Sequence, residues 1–311
     1  MKGYLVLFFV FIQTYSYALI KDTVKDTIIS TEKIYKGKGF HNAFTDLVFF
    51  KNNFYCVFRE AKSHVGDNGT IILLTSKTTK TWEVIKKYKI KNIDLRDPKF
   101  ILSKKRQILY IQIAGSIYKK GKFIQTEHFL LESLNGKKWS NPELINVHNK
   151  WLWKPIIYSD SSIAIGYKAG EKLSLYKSRD LKNYVKVKDL SLDPKGILSE
   201  AAFTFDDKGN LLTLIRKNYP GTYFGISNPP FLEWSWKKLN NVLGGPNIKV
   251  INKRIIISGR TYDTSKPINC RTKTFVGEVI GDKIKILHYL KSGGDTGYTG
   301  MVYKDGILYV S

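Results

Sequence analysis

The chain has 311 residues, a formal net charge of +25 and 43% hydrophobic residues, enough apolar material for one large core or two ordinary domains. The charge points first to a polyanion such as nucleic acid. However, only eight of the 51 basic residues are Arg, the Lys are spread among Ile, Asn and Tyr along the whole length, and no compact cationic run or nucleic-acid motif occurs. Nucleic acid is therefore excluded as the expected partner, and the five scattered His lack the spacing of a metal site, so no metal or other cofactor is expected.

In chain order, Met1-Lys2, the apolar run from Tyr4 to Ile12 and the small-residue site Ser16-Tyr17-Ala18 read as a signal peptide over residues 1–18. The run is too short to span a bilayer, and no Cys follows Ala18 to carry a lipid anchor. A secreted or periplasmic protein without a membrane span is expected. Residues 19–311 show no Pro/Gly/Ser-rich linker and read as one domain, with 26–34 (DTIISTEKI) as an additional outer strand.

Six copies of one pattern then follow at a spacing of about fifty residues. They are AFTDLVFFKNNFYCVFRE (43–60), DPKFILSKKRQILYIQIAG (97–115), KPIIYSDSSIAIGYKAG (154–170), EAAFTFDDKGNLLTLIRKN (200–218), GPNIKVINKRIIISGRTYD (245–263) and YTGMVYKDGILYVS (298–311). Each is a β-branched and aromatic run, a polar turn such as Asn52-Asn53, Lys208-Gly209 or Asp305-Gly306, and a second such run, which is a hairpin signature. Self-similarity at this period predicts an all-β, six-bladed β-propeller of four-stranded antiparallel blades. The last repeat stops at Ser311 after its second strand, so the sixth blade is expected to be incomplete and the chain truncated at its C-terminus.

After the hairpins come SKTTKTW (76–82) and SLNGKKW (133–139), with weaker echoes in SRDLKNY (178–184) and SNPPFLEW (227–234). These resemble degenerate copies of the Asp-box, SxDxGxTW, a turn between the outer strands of a blade in sialidase-type propellers. Cys56 falls in the first repeat and Cys270 in the fifth, which are not neighbours around a six-fold ring, so two unpaired thiols are expected.

In an antiparallel blade the start of the first strand, the end of the second and the loop that follows share one end. That end collects His41, Arg59, Asp67, Arg96, Asp97, Glu200, Arg216, Arg260, Arg271 and Tyr298. Five of the eight Arg gather there although Lys is the cation elsewhere, which suits a planar fork for a carboxylate, sulfate or phosphate. The alternative is that these Arg neutralise Glu60, Asp97, Glu200 and Asp263 in a crowded rim.

FHNAFTDLVFF, FREAKSHVGD, DLRDPKF, SEAAFTF, SGRTYD and SGGDTGYTG together resemble the bacterial sialidase-like propeller family (BNR or Asp-box repeats) over residues 38–311. The resemblance implies Tyr298 as nucleophile, an exception among glycosidases. It implies Glu200 as the base that takes its proton, Asp67 as acid/base, and Arg216 and Arg271 as two of three Arg that hold a substrate carboxylate. The family's first Arg lies in a FRIP motif where this chain has His41 in FHNA, and Arg59 is expected to stand in. Arg96, Asp97 and Arg260 complete the expected binding set. The implied function is exo-glycosidase action on a terminal, acidic sugar of a glycan. The alternatives are a non-catalytic glycan-binding propeller and a hydrolase of neutral or sulfated polysaccharide.

Overall fold

Hairpins whose strands are apolar almost throughout must be covered on both faces. The structure, a computed structural model, describes residues 27–311 apart from 38, 148, 169, 193–197, 218–220, 263–271 and 292–296. Met1–Ser30 form one unit, whose described residues 27–30 carry no strand, and Thr31–Ser311 form a second. The signal peptide expected over 1–18 lies outside the described residues. No helix among the described residues is long and apolar enough to cross a membrane.

The second unit is all-β. Its sheets are β1 (His41–Phe50), β2 (Asn53–Ala61), β3 (Thr70–Ser76) and β4 (Glu83–Tyr88); β5 (Ile93–Ser103), β6 (Ile108–Lys119), β7 (Lys122–Ser133) and β8 (Glu143–Ile145); and β9 (Trp151–Tyr158), β10 (Ser161–Tyr167), β11 (Ser174–Ser178) and β12 (Val185–Asp189). There follow β13 (Leu198–Phe205), β14 (Leu211–Lys217), β15 (Thr222–Ser227) and β16 (Ser235–Leu239); β17 (Gly244–Ile251), β18 (Arg254–Tyr262), β19 (Thr272–Ile280) and β20 (Lys283–Leu290); and the two strands β21 (Met301–Lys304) and β22 (Ile307–Val310). Within each four-stranded sheet the strands lie in chain order and pair antiparallel.

The described residues thus give five four-stranded blades, not six, followed by a final incomplete sheet of two strands where a sixth blade was expected. β21 lies against both β17 and β1, so the two-stranded sheet joins the fifth blade to the first and closes the ring. Six apolar clusters fill the interfaces between successive sheets; Met301 packs with Ile256 and Val276, and Val302 with Leu47 and Phe58. The expected outer strand over 26–34 is absent from its described residues. Instead Ile34 and Tyr35 pack on the Leu47–Val302 cluster, and the Tyr35 hydroxyl donates to Glu60 at 2.8 Å.

All four Ser…aromatic elements are turns between the third and fourth strands of their blades. Ser76 Oγ accepts the Thr79 N–H and Trp82 Nε1 donates to Thr79 O. Ser133 Oγ accepts the Gly136 N–H and Trp139 Nε1 donates to Gly136 O, the same wiring. Trp139, Tyr184 and Trp234 each pack into the cluster shared with the preceding blade. Cys56 is fully buried with a free thiol, which burial pushes up to about 12, whereas Cys270 lies outside the described residues.

Ring closure makes one glycine critical. A Cβ on Gly300 meets Leu47 N at 2.1 Å and Asp46 C at 2.6 Å, both backbone atoms that cannot swing away. Gly300→Ala is expected to part β21 from β1 and to cost about 1–3 kcal/mol, typical of an overpacked core. A urea titration of both proteins, compared by midpoint, checks this, and an unchanged midpoint refutes the close approach.

Candidate active site at one mouth of the ring

The first strand of every complete blade breaks register near its start. In β1 the break lies between Ala43 and Asp46, in β5 between Arg96 and Lys99, in β13 between Leu198 and Ala201, and in β17 between Gly244 and Asn247. The β9–β10 pair does the same between Trp153 and Ile156. Two residues therefore face one at each break: Phe44-Thr45, Asp97-Pro98, Lys154-Pro155, Ser199-Glu200 and Gly245-Pro246. Phe44, Asp97 and Gly245 have φ of 62°, 43° and 57°, the left-handed conformation of a bulge. Bulges bend the strand and re-aim its side chains, and here they do so five times around one mouth.

The centre of this mouth is Tyr298, half-buried just ahead of β21. Its hydroxyl donates to Glu200 Oε1 at 2.9 Å. Arg216 Nη1 donates to the same oxygen at 2.6 Å, and the Gly245 N–H donates to Oε2 at 2.6 Å. Arg260 lies over the Tyr298 ring, 5.1 Å from its centroid, with Nη2 3.4 Å from the phenol oxygen. Burial, and then the Glu200 carboxylate, push the phenol well above its ordinary 10. The Glu200 carboxylate is the group placed to accept the phenol proton.

A second group is built on the Phe44 ring. It meets Tyr298 edge-on at 4.8 Å and His64 at 5.1 Å, and His41 lies 6.4 Å away. The Arg96 guanidinium sits between Phe44, at 5.3 Å, and Trp151, at 5.8 Å. Such a cation–π sandwich holds a planar cation in place without neutralising it. Below this layer, fully buried Asp46 accepts the Phe100 N–H and Lys154 Nζ at 2.9 Å each, and Lys99 Nζ donates to Thr45 O at 2.9 Å. These contacts tie three blades together under the mouth.

Of the residues expected from sequence, Tyr298, Glu200, Arg216 and Arg260 meet directly, and Arg96, Asp97 and His41 surround Phe44 or couple to Glu200. Arg59 reaches the same Phe44 ring, its guanidinium 6.0 Å from the centroid. It is fully buried, with Nε and Nη2 donating to Asp94 Oδ1 at 3.0 and 2.7 Å and Nη1 to Ser63 O at 2.7 Å. These bonds anchor the loop of residues 62–69. Asp67 rides on that loop, half-buried, accepting from Ser63 Oγ at 2.8 Å. Arg271 lies outside the described residues.

Phe44, Trp151 and Tyr167, whose phenol couples to Glu200 and Asp97, were not singled out in the sequence. Tyr167 had a signal, since it ends the second strand of its blade just as Arg216 and Arg260 lie near the ends of theirs. Among the described residues no group of three His, Cys, Asp or Glu could hold a metal ion.

No protein-family model and no curated protein matches the chain. Solved structures do match. A protein of unknown function from Dyadobacter fermentans has a TM-score of 0.71 at 17% identity, covering 89% of this chain and 91% of that one. The Hadza microbial sialidase Hz136 has a TM-score of 0.63 at 12% identity, covering 84% of this chain and 60% of that one. Trypanosoma rangeli sialidase in complex with the inhibitor DANA has a TM-score of 0.63 at 15% identity over 87% of this chain. The chain spans 52% of that sialidase's length. At these identities the likeness carries the fold: this chain is a β-propeller similar to those of sialidases.

Proposed function

We propose that the chain is a secreted or periplasmic sialidase-like exo-glycosidase that removes a terminal, acidic sugar from a glycan. The observation that carries this reading is the Tyr298–Glu200 hydrogen bond of 2.9 Å beside Arg216 and Arg260. A tyrosine is a poor nucleophile until a base touches its proton, and Glu200 does. Arg216 keeps the Glu200 carboxylate in place, while Arg96 and Arg260 offer guanidinium groups to the anionic substituent of the sugar. Low-identity likeness to sialidases supports the same reading at the level of the scaffold.

A panel of chromogenic glycosides, sialosides and uronides included, tests it. Hydrolysis of at least one acidic glycoside is expected, with neutral sugars cleaved far less. Turnover of neutral sugars alone overturns the acidic assignment.

One observation favours a second reading, glycan binding without cleavage. An enzyme needs a proton donor for the departing oxygen, and the residue expected for it, Asp67, sits on a surface loop with its carboxylate engaged by Ser63. Binding of acidic oligosaccharides with no hydrolysis of any glycoside would establish this reading instead.

A further inference from the structure

Two carboxyl groups stand at the mouth in contrasting surroundings. Glu200 is satisfied on both oxygens by Arg216, Tyr298 and the Gly245 N–H. Asp97 is as deeply buried, 6% exposed against 5%, yet its Oδ1 has no hydrogen-bond partner among the described residues. A carboxyl oxygen left bare in the interior costs free energy and calls for a functional reason. Asp97 is also held in the left-handed region, φ 43°, at the β5 bulge and ahead of Pro98, a conformation that persists only where the surroundings enforce it. These features are independent of each other and meet at one residue.

The charged and titratable groups coupled to Asp97 come from every side of the mouth. They are Arg96 and Lys99 on its own strand, Glu200 on β13, His64 on the β2–β3 loop, and the phenols of Tyr167 and Tyr298. Arg96 faces the Phe44 and Trp151 rings, and Lys99 is spent on Thr45 O.

We propose that Asp97 is the proton donor of this site, in the place the family resemblance gives to Asp67. The proposal rests on the glycosidase reading and completes it. As the bond from the anomeric carbon to the bridging oxygen breaks, its electron pair stays on that oxygen, which takes the Asp97 proton. The Tyr298 oxygen bonds to the same carbon and passes its proton to Glu200. In the second half, water attacks the anomeric carbon and gives a proton to the Asp97 carboxylate, and the released Tyr298 oxygen recovers its proton from Glu200. Burial, outweighing Arg96 and Lys99, raises the Asp97 carboxyl above its ordinary 3.8, the direction a donor at neutral pH requires. Separating the roles of two carboxyl groups by their surroundings is a general device of such enzymes.

Asp97→Asn tests this, and Asn tolerates a positive φ as well as Asp does. With an active glycoside from the panel, Asp97→Asn is expected to slow substrates with poor leaving groups by about 10²–10⁴-fold and activated aryl glycosides little. Asp67→Asn is expected to lower both classes alike. Equal loss on both classes for Asp97→Asn, or leaving-group dependence in Asp67→Asn instead, overturns the proposal while the glycosidase reading stands. No hydrolysis of any glycoside by the wild type overturns that reading and the donor role with it.

A second measurement needs no turnover. A carboxyl whose folded value is raised binds its proton more tightly in the folded chain, so the wild type loses stability as pH rises from about 4 through the raised value. Asp97→Asn removes that loss, so its Tm relative to wild type should climb between pH 4.5 and 8. A relative Tm that falls over this range shows an ionised, paired Asp97 and overturns the proposal.

Discussion

Tyr298→Phe is expected to lower kcat on any hydrolysed glycoside by on the order of 10⁶-fold, the scale on which nucleophile deletions act. The substitution removes one oxygen and leaves the ring, which packs on Phe44 at 4.8 Å and Trp153 at 5.9 Å. Glu200 keeps Arg216 and the Gly245 N–H, so no carboxylate is abandoned in the interior. Binding of the sugar should therefore stay within a few fold of wild type while turnover disappears. Calorimetric titration with the released sugar, beside the rate assay, separates the two. Full activity of Tyr298→Phe on every substrate the wild type cleaves sinks the nucleophile assignment.

The largest stability effect should come from Asp94→Ala. Asp94 is 1% exposed and accepts two donors from fully buried Arg59, together with the Gly66 and Gly69 N–H groups at 3.2 and 3.0 Å. Removing the carboxylate leaves a guanidinium without its counter-charge in the interior, which costs about 3–5 kcal/mol. For a chain of this size that corresponds to a fall in Tm of roughly 6–20 °C. The space is closed to rearrangement, since even a Cβ on Gly69 would meet Arg59 Nε and Leu95 O at 2.5 Å. The double variant Arg59→Met/Asp94→Leu should recover most of the loss, because a buried ion pair and an apolar pair of similar volume differ little in stability. If Asp94→Ala melts with the wild type, Arg59 is not held as described. Release of the 62–69 loop should also raise KM, since it carries His64, which packs on Phe44 at 5.1 Å.

Arg59 shows what reading the chain alone leaves open. Its place at the end of a second strand, beside the other rim Arg, made it a candidate for the absent family Arg. Nothing local revealed that Asp94, thirty-five residues on and in the next blade, would claim it. Asp94 opens the DLRDPKF motif, but nothing in that motif names Arg59 as its partner. Arg96 and Asp97 illustrate the converse. Both stand out in the sequence as candidates, but the aromatic sandwich on one and the bare buried oxygen of the other depend on Phe44, Trp151 and the β5 bulge.

The sequence by itself determined the all-β class, the hairpins and their turns, and which ends of the strands gather. Those properties follow from alternation of apolar runs with turn residues and from a repeat period, both of which act within about fifty residues. The tertiary structure alone decided that, among the described residues, five blades have four strands, that β21 and β22 close the ring without the expected outer strand, and which partners the rim Arg take. The physical reason is that closure, bulge register and ion pairing are settled between blades, where each side chain meets partners that lie far from it along the chain.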